Sequence, residues 1–316
     1  MNRIISTIIA MLAASICLAQ TSGEPSGTYL YCQRESGDLY LDVYDPAPGS
    51  VTEIDGIRKP TIIYLFGGGF KGGNRSSKYN FNWFQHLSDA GYSVVAIDYR
   101  LGLQGVTEMG INAKSADLLY NAIHLAVEDL FAATKFLLEN ADQLGINASS
   151  LVVSGSSAGA MAALQAEWEI CNGSAGTDIL PDGFNYSGVI AFSGAIYSRS
   201  GAIRYARTPC PHFLCHGTED KTVPYTQIAL LKQRLAGSDA IAKIFAQNGY
   251  DCQIWRFDGN RHEIANTQVR NLPEELQFLE LNVTKGIRRN IDATVVDEGI
   301  DIPAWALGDF RQIYEK

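Results

Sequence analysis

Six residues in the middle of the chain, Ser154-Gly155-Ser156-Ser157-Ala158-Gly159, have the composition of a nucleophile's turn. The apolar run Leu151-Val152-Val153 leads into them, and the helix-like stretch from Ala160 to Trp168 leads out. A serine on a cramped strand-to-helix turn has its hydroxyl pushed clear of the backbone, beside N–H groups that can receive developing negative charge. Gly155-Ser156-Ser157-Ala158-Gly159 reads as G-x-S-x-G and selects Ser157. Ser156, between Ser154 and Ala158, fits a looser pattern of small residues and is the alternative register. Glycine on both sides favours Ser157, because a Cβ at either flank would collide with the neighbouring strand or helix.

A serine hydroxyl is inert near neutral pH without a base and a group that orients the base. Of five histidines, His86 lies inside a helical pattern and His124 at the edge of one, and both precede the serine. His212 begins an apolar run, and His216 sits beside a turn glycine, where it satisfies local backbone groups. His262 falls in Asp258-Gly259-Asn260-Arg261-His262, a loop after the last apolar run, from which an imidazole can reach Ser157. Asp220, after a run and a turn and before Lys221-Thr222-Val223-Pro224, is the expected partner of the imidazole Nδ1–H. Glu219 is adjacent and Asp258 is the fallback acid. Gly67-Gly68-Gly69 follows a further run without the G-x-G-x-x-G or Lys-Ser/Thr pattern of a phosphate loop. The reading is an oxyanion hole made by the N–H groups of Gly68, Gly69 and Ala158.

These positions need a scaffold, and the apolar patterning describes one. Leu39, Leu41 and Val43 alternate as a strand with one buried face. Continuous apolar runs at 61–66, 92–99, 151–153, 188–192, 212–215 and 252–257 read as strands covered on both faces. Helical patterns at 81–90, 126–144, 160–170, 226–247 and 273–287 alternate with them. The fold class is therefore α/β, a mostly parallel sheet of about eight strands with helices on both faces and a small lid at most. Residues 47–60 read as a loop, 101–121 as an insertion that could wall a pocket, and 292–316 as a tail of no assigned role.

The chain has 316 residues, 46% hydrophobic and 19% charged, which suits one large catalytic domain over 20–316. Residues 1–19 have the layout of a secretory signal peptide: Arg3, an apolar stretch from Ile4 to Leu18, and a cleavage position after Ala19. The expected location is periplasmic or extracellular. No later stretch reaches the roughly 20 apolar residues of a membrane span. A net charge of −9 without any basic cluster argues against nucleic acid as a partner. Cys32, Cys171, Cys210, Cys215 and Cys252 follow the leader, an odd number, with Cys210–Cys252 the tentative disulfide and buried free thiols the alternative. None has the spacing of a zinc site, and the chemistry calls for no metal and no cofactor. Sequons occur at Asn74, Asn147, Asn172, Asn185 and Asn282.

Over roughly residues 39–287 the chain resembles the α/β-hydrolase superfamily, in its carboxylesterase and hormone-sensitive-lipase-like branch. Phe66-Gly67-Gly68-Gly69-Phe70 is similar to that branch's H-G-G-G motif, and Asp98-Tyr99-Arg100-Leu101 to its D-Y-R-L. Ala126-Val127-Glu128-Asp129 is similar to A-V-E-D, and His216 to Pro224 to H-G-x-x-D-x-x-V-P. Phe66 stands where the branch has a histidine that braces the oxyanion loop, and the Ala-Pro-Glu that often follows D-Y-R-L is missing. The resemblance implies a serine esterase, with Phe70 against the substrate and an ester, free or linked to a polysaccharide, as its partner. Exported members often remove acetyl or feruloyl groups from plant polysaccharides. A short-chain carboxylesterase or a peptidase of the same fold is the enzymatic alternative, and a catalytically silent binding protein the non-enzymatic one.

Overall fold

A computed structural model describes residues 23–107, 112–230 and 232–307. The expected leader, residues 108–111 of the 101–121 segment and the end of the tail lie outside the described residues. Nine strands form one sheet. In chain order they are β1 (Gly27–Arg34), β2 (Gly37–Tyr44), β3 (Thr61–Leu65), β4 (Ser93–Ile97) and β5 (Leu151–Ser156), then β6 (Gly188–Phe192), β7 (His212–Gly217), β8 (Cys252–Phe257) and β9 (Ile291–Val295). Their spatial order is β1-β2-β4-β3-β5-β6-β7-β8-β9. β1 and β2 form an antiparallel edge, β2 meets β4 antiparallel, and every pairing from β4 onward is parallel.

Every residue of β3, β4, β5, β6 and β7 is buried, which explains their unbroken apolar runs: neither face meets water. Helix α1 (Lys78–Asp89) meets the short α5 (Leu272–Phe278) through Trp83 Nε1, which donates to Glu275 Oε2 at 2.9 Å. The 27-residue α2 (Ala113–Glu139) packs on α3 (Ala158–Asn172), the helix that leaves the serine turn. Helix α4 (Ser238–Asn248) lies against β7 and β8.

Motif residues far apart in sequence meet in one ion-pair network. Asp129 on α2, fully buried, accepts from Arg100 Nε at 2.8 Å, from the Arg100 N–H at 2.8 Å and from Arg34 Nε at 3.0 Å. A buried carboxylate needs such donors to offset its lost hydration, so D-Y-R-L and A-V-E-D are the two halves of one structural contact.

Three expectations change. Residues 226–247 are not one helix: Gln227–Leu230 and Gln233–Gly237 are strands, and only the end is helical, as α4. Ala195–Ser198 supplies the edge that recruits them, pairing Leu235 with Tyr197 and Ala236 with Ile196, and tertiary pairing overrides a helix-compatible composition. The second half of the 101–121 insertion, from Ala113, is the first turns of α2, capped by Asn112 Oδ1 accepting from the Ser115 N–H at 2.9 Å. The sheet of about eight strands is as expected, with Gly27–Arg34 and Ile291–Val295 as its two edges. The anticipated Cys210–Cys252 disulfide is not formed, and all five cysteines described are free. β7 and β8 align His212 opposite Cys252, so Cys210 lies two residues before its required register.

Glu275 is wholly buried; burial pushes its carboxyl well above the ordinary range, although the bond from Trp83 pulls it down. A raised carboxyl binds its proton more tightly in the folded state, so its contribution to stability is lost as pH rises above the unfolded value. Glu275→Gln keeps an acceptor for Trp83 and removes the ionisation. Urea denaturation between pH 5 and pH 8 is expected to show a shallower decline of stability with pH in this variant than in the parent chain. An unchanged slope would mean that Glu275 is not the group responsible.

Candidate active site

The serine turn is built from close approaches. Ser157, between β5 and α3, has φ 51° and ψ −115°. Its N–H donates to Phe192 O at 2.9 Å, and its carbonyl accepts from the Met161 N–H at 2.9 Å. Gly159 lies so near β3 that a Cβ there would sit 2.1 Å from Leu65 O. Only glycine lets the helix start this close to the sheet. Ser156 points elsewhere, its Oγ donating to Ala265 O at 2.6 Å.

Three further strands deliver the remaining groups at the same sheet edge. After β7, the Asp220 carboxylate accepts at Oδ1 from the N–H groups of Thr222 (2.9 Å) and Val223 (3.0 Å). After β8, the chain turns into a short 3-10 segment, His262–Asn266. The turn is set by Glu263 Oε1, which accepts from Asn260 Nδ2 and the Arg261 N–H at 2.9 Å each. His262 Nδ1 lies 2.7 Å from Asp220 Oδ2, and its Nε2 lies 2.8 Å from Ser157 Oγ. The carboxylate is acceptor-only, so Nδ1 carries the ring hydrogen and Nε2 is left to accept from the serine hydroxyl. Burial would raise the Asp220 carboxyl, but hydrogen bonds from His216 and His262 hold it well below the ordinary carboxylate range. It is therefore a charged acceptor throughout the neutral range.

After β3, the glycine loop runs beside the serine: a Cβ on Gly67 would lie 3.4 Å from Ser157 Cβ. Gly68, at φ 130°, has Gly72 O 2.1 Å from where its own Cβ would be, and its carbonyl accepts from the Lys71 and Gly72 N–H groups. Among the described residues, no hydrogen bond uses the N–H of Gly68, Gly69 or Ala158, so all three donors are available. The glycine loop is braced by aromatic packing: Phe66 stacks on Tyr99 at 4.3 Å between centroids, and Tyr99 OH donates to Phe66 O at 2.6 Å. Tyr99 belongs to the D-Y-R-L segment, which gives that segment a second contact with the site.

A cleft of about 400 Å³ opens over Ser157. Phe70, Met161 and Asn80 line it, with Tyr79 and Trp305 at the more exposed end. The Trp305 ring stands edge-on to His262, 6.3 Å between centroids. The structure thus brings Ser157, His262, Asp220, Gly68, Gly69, Ala158 and Phe70 together. Glu219 and Asp258 are exposed and turn to Arg261 and Thr218 respectively. Two contributors were not foreseen. Trp305 lies in a tail whose polar, aperiodic sequence carries no signal of where it packs. His216 is not a local backbone ligand alone: its Nε2 lies 3.2 Å from Asp220 Oδ2.

Among the described residues, no three His, Cys, Asp or Glu side chains converge as a metal ion would require, and no helix is long and apolar enough to cross a membrane. The arrangement can activate a hydroxyl, stabilise an oxyanion and return a proton to a leaving group.

Comparison with known proteins bears on the family and the fold. A family model described as phospholipase/carboxylesterase matches residues 121–280, and the BD-FAE model matches residues 41–178. No curated protein matches. Among solved structures, the thermophilic esterase Est2 of the planctomycete Thermogutta terrifontis in its native form superposes with a TM-score of 0.56 at 20% identity, over 81% of this chain and 92% of that one. Its butyrate-bound form gives 0.56 and 20%, over 81% and 94%. The form phosphonylated by cyclosarin gives 0.57 and 20%, over 80% and 92%. These likenesses establish the α/β-hydrolase fold.

Replacing a helix glycine by alanine ordinarily gains about 1 kcal/mol. Gly159→Ala is expected to do the opposite, losing about 1–3 kcal/mol or more in urea denaturation, because its Cβ would overlap the Leu65 carbonyl. A neutral or stabilising result would show that the turn has room to relax.

Proposed function

Because the chain belongs to the phospholipase/carboxylesterase family of α/β-hydrolases, we propose that it is an exported serine esterase whose triad is Ser157, His262 and Asp220. The observation that carries the reading is the unbroken chain of contacts, 2.8 Å from Ser157 Oγ to His262 Nε2 and 2.7 Å from His262 Nδ1 to Asp220 Oδ2, at the floor of a cleft. Ser157 Oγ attacks the ester carbonyl carbon while His262 takes its proton. The carbonyl oxygen becomes an oxyanion facing the N–H groups of Gly68, Gly69 and Ala158. His262 then gives the proton to the departing alcohol oxygen as the C–O bond breaks, leaving an acyl-serine. Water, deprotonated by the same imidazole, releases the acid and restores the serine. Asp220 holds the ring in the required tautomer and stabilises the imidazolium formed in each half-reaction.

The substrate proposed is an acetyl or feruloyl ester of a plant polysaccharide. The BD-FAE match over residues 41–178 supports it, as do the aromatic surfaces of Trp305 and Tyr79 where the cleft meets solvent. Flat faces at such a rim suit a sugar ring or a cinnamoyl group. The leader-like composition of residues 1–19 supports an extracellular substrate. A short-chain carboxylesterase is the second reading, supported by the propionate- and butyrate-bound forms of the thermophilic esterase.

Ser157→Ala is expected to lower p-nitrophenyl acetate hydrolysis by roughly 10⁴-fold or more and to abolish labelling by a fluorophosphonate probe. Ser156→Ala should retain most activity, and the converse pattern would move the nucleophile. On a panel of feruloylated sugars and p-nitrophenyl esters, Trp305→Ala is expected to reduce kcat/KM about three- to tenfold more for the feruloyl sugar than for the acetate, the worth of one aromatic contact. Equal losses on both substrates would favour the short-chain reading.

A further inference from the structure

His216 is wholly buried at the end of β7 and approaches the same Asp220 oxygen as His262. Its Nε2 faces two acceptors, Asp220 Oδ2 at 3.2 Å and Val223 O at 3.1 Å. A nitrogen between two acceptors must carry the hydrogen, so its single N–H is shared between Val223 O and Asp220 Oδ2, and the tautomer follows from geometry. The other nitrogen, Nδ1, lies 2.8 Å from Ser238 Oγ at the first residue of α4, and accepts the hydroxyl hydrogen. Among the described residues, the N–H groups of Thr222 and Val223 reach Oδ1, while His262 Nδ1–H and the shared Nε2–H of His216 reach Oδ2.

We propose that His216, set by Ser238, is a positioning residue that holds Asp220 Oδ2 in line with His262 Nδ1. The chain Ser238–His216–Asp220–His262–Ser157 therefore extends past the triad to the start of α4. This rests on the triad reading above. Two backbone N–H groups fix Oδ1 but leave the carboxyl plane free to swing; the second imidazole fixes Oδ2 and hence the plane. Sharing the carboxylate between two rings also spreads its negative charge over two donors. Nearby charges have other partners: Tyr225, edge-on to the His216 ring, accepts at its hydroxyl from Arg256, while Asp239 beside Ser238 pairs with Arg256 and Lys243. Of the remaining groups on the two loops, Glu219 pairs with Arg261, and Glu263 accepts from Asn260 and the Arg261 N–H.

The test uses the full chain, with kcat expressed per fluorophosphonate-titrated site so that unfolded molecules do not count. In His216→Leu, kcat on p-nitrophenyl acetate is expected to fall roughly ten- to a hundredfold with KM little changed, the scale of a misplaced catalytic group. The acid limb of its pH profile should move to higher pH as the undivided carboxylate grips His262. His216→Gln, whose amide can donate to Oδ2, should recover most of kcat and return the limb toward its original position. A purely structural role would reduce the number of titratable sites while per-site kcat and pH profile stayed those of the parent, and this outcome overturns the proposal. Should His216→Leu fail to fold, Ser238→Ala decides: a smaller loss with the limb displaced the same way supports it, and an unchanged profile and per-site kcat refute it. Ser157→Ala and Asp220→Asn run alongside separate this failure from failure of the triad itself.

Discussion

Ser157 occupies a backbone region, φ 51° and ψ −115°, that a residue with a Cβ leaves unless its surroundings over-determine it. The surroundings here do so by proximity. Gly159 presses α3 onto the carbonyls of Leu65 and Phe66, and Gly155 sits with no space between it and the same helix. Phe192 O takes the Ser157 N–H from the other side. The serine is thus held between β3 and β6, and its hydroxyl has one direction left. That direction is the cleft. A strain of about 1–3 kcal/mol is carried by packing several residues deep, which explains why the turn is made almost entirely of small side chains.

The second constraint is the parallel sheet itself. Parallel strands all end on the same side, so the loops after β3, β5, β7 and β8 emerge side by side although they are widely separated in sequence. Each loop contributes one kind of group: donors for an oxyanion, a hydroxyl, a carboxylate and an imidazole. None could act alone. The carboxylate is low in pKa because donors surround it, and the imidazole is oriented because the carboxylate is charged. The loops also lock to one another, with Ser156 donating to Ala265 and the Glu219 N–H to Asn260 O.

The glycine loop shows how a fold holds a flexible segment without a polar side chain. With phenylalanine at position 66, no side-chain hydrogen bond can brace the glycines. Stacking on Tyr99, and the Tyr99 hydroxyl on the Phe66 carbonyl, do that work instead. The Tyr99 segment is anchored in turn by Arg100 on the buried Asp129, so the loop's support reaches down to α2. A buried aromatic pair contributes about 0.5–1.5 kcal/mol beyond its burial, comparable with a single hydrogen bond.

How much of this was legible beforehand depended on whether the determining forces were local. A serine between glycines at the end of an apolar run, a glycine triplet after another run, an aspartate and a histidine in loops after later runs: each is written in adjacent residues, because steric limits on a turn and two-sided burial of a strand act over a few positions. The α/β architecture and the residues of the site could be read that way. Long-range pairing could not. Residues 227–237 are strands only because Ala195–Ser198 offers an edge, and Ile291–Val295 is a strand only because β8 leaves one open. Cys210 and Cys252 miss each other by the register of two strands. Trp305 stands edge-on to His262, and Ser238 meets His216, through packing between segments that carry no mark of one another. Chain order specified which chemical groups are present and the turns that expose them; folding in three dimensions decided which of them touch, because contact energy depends on distance in space and not on distance along the chain.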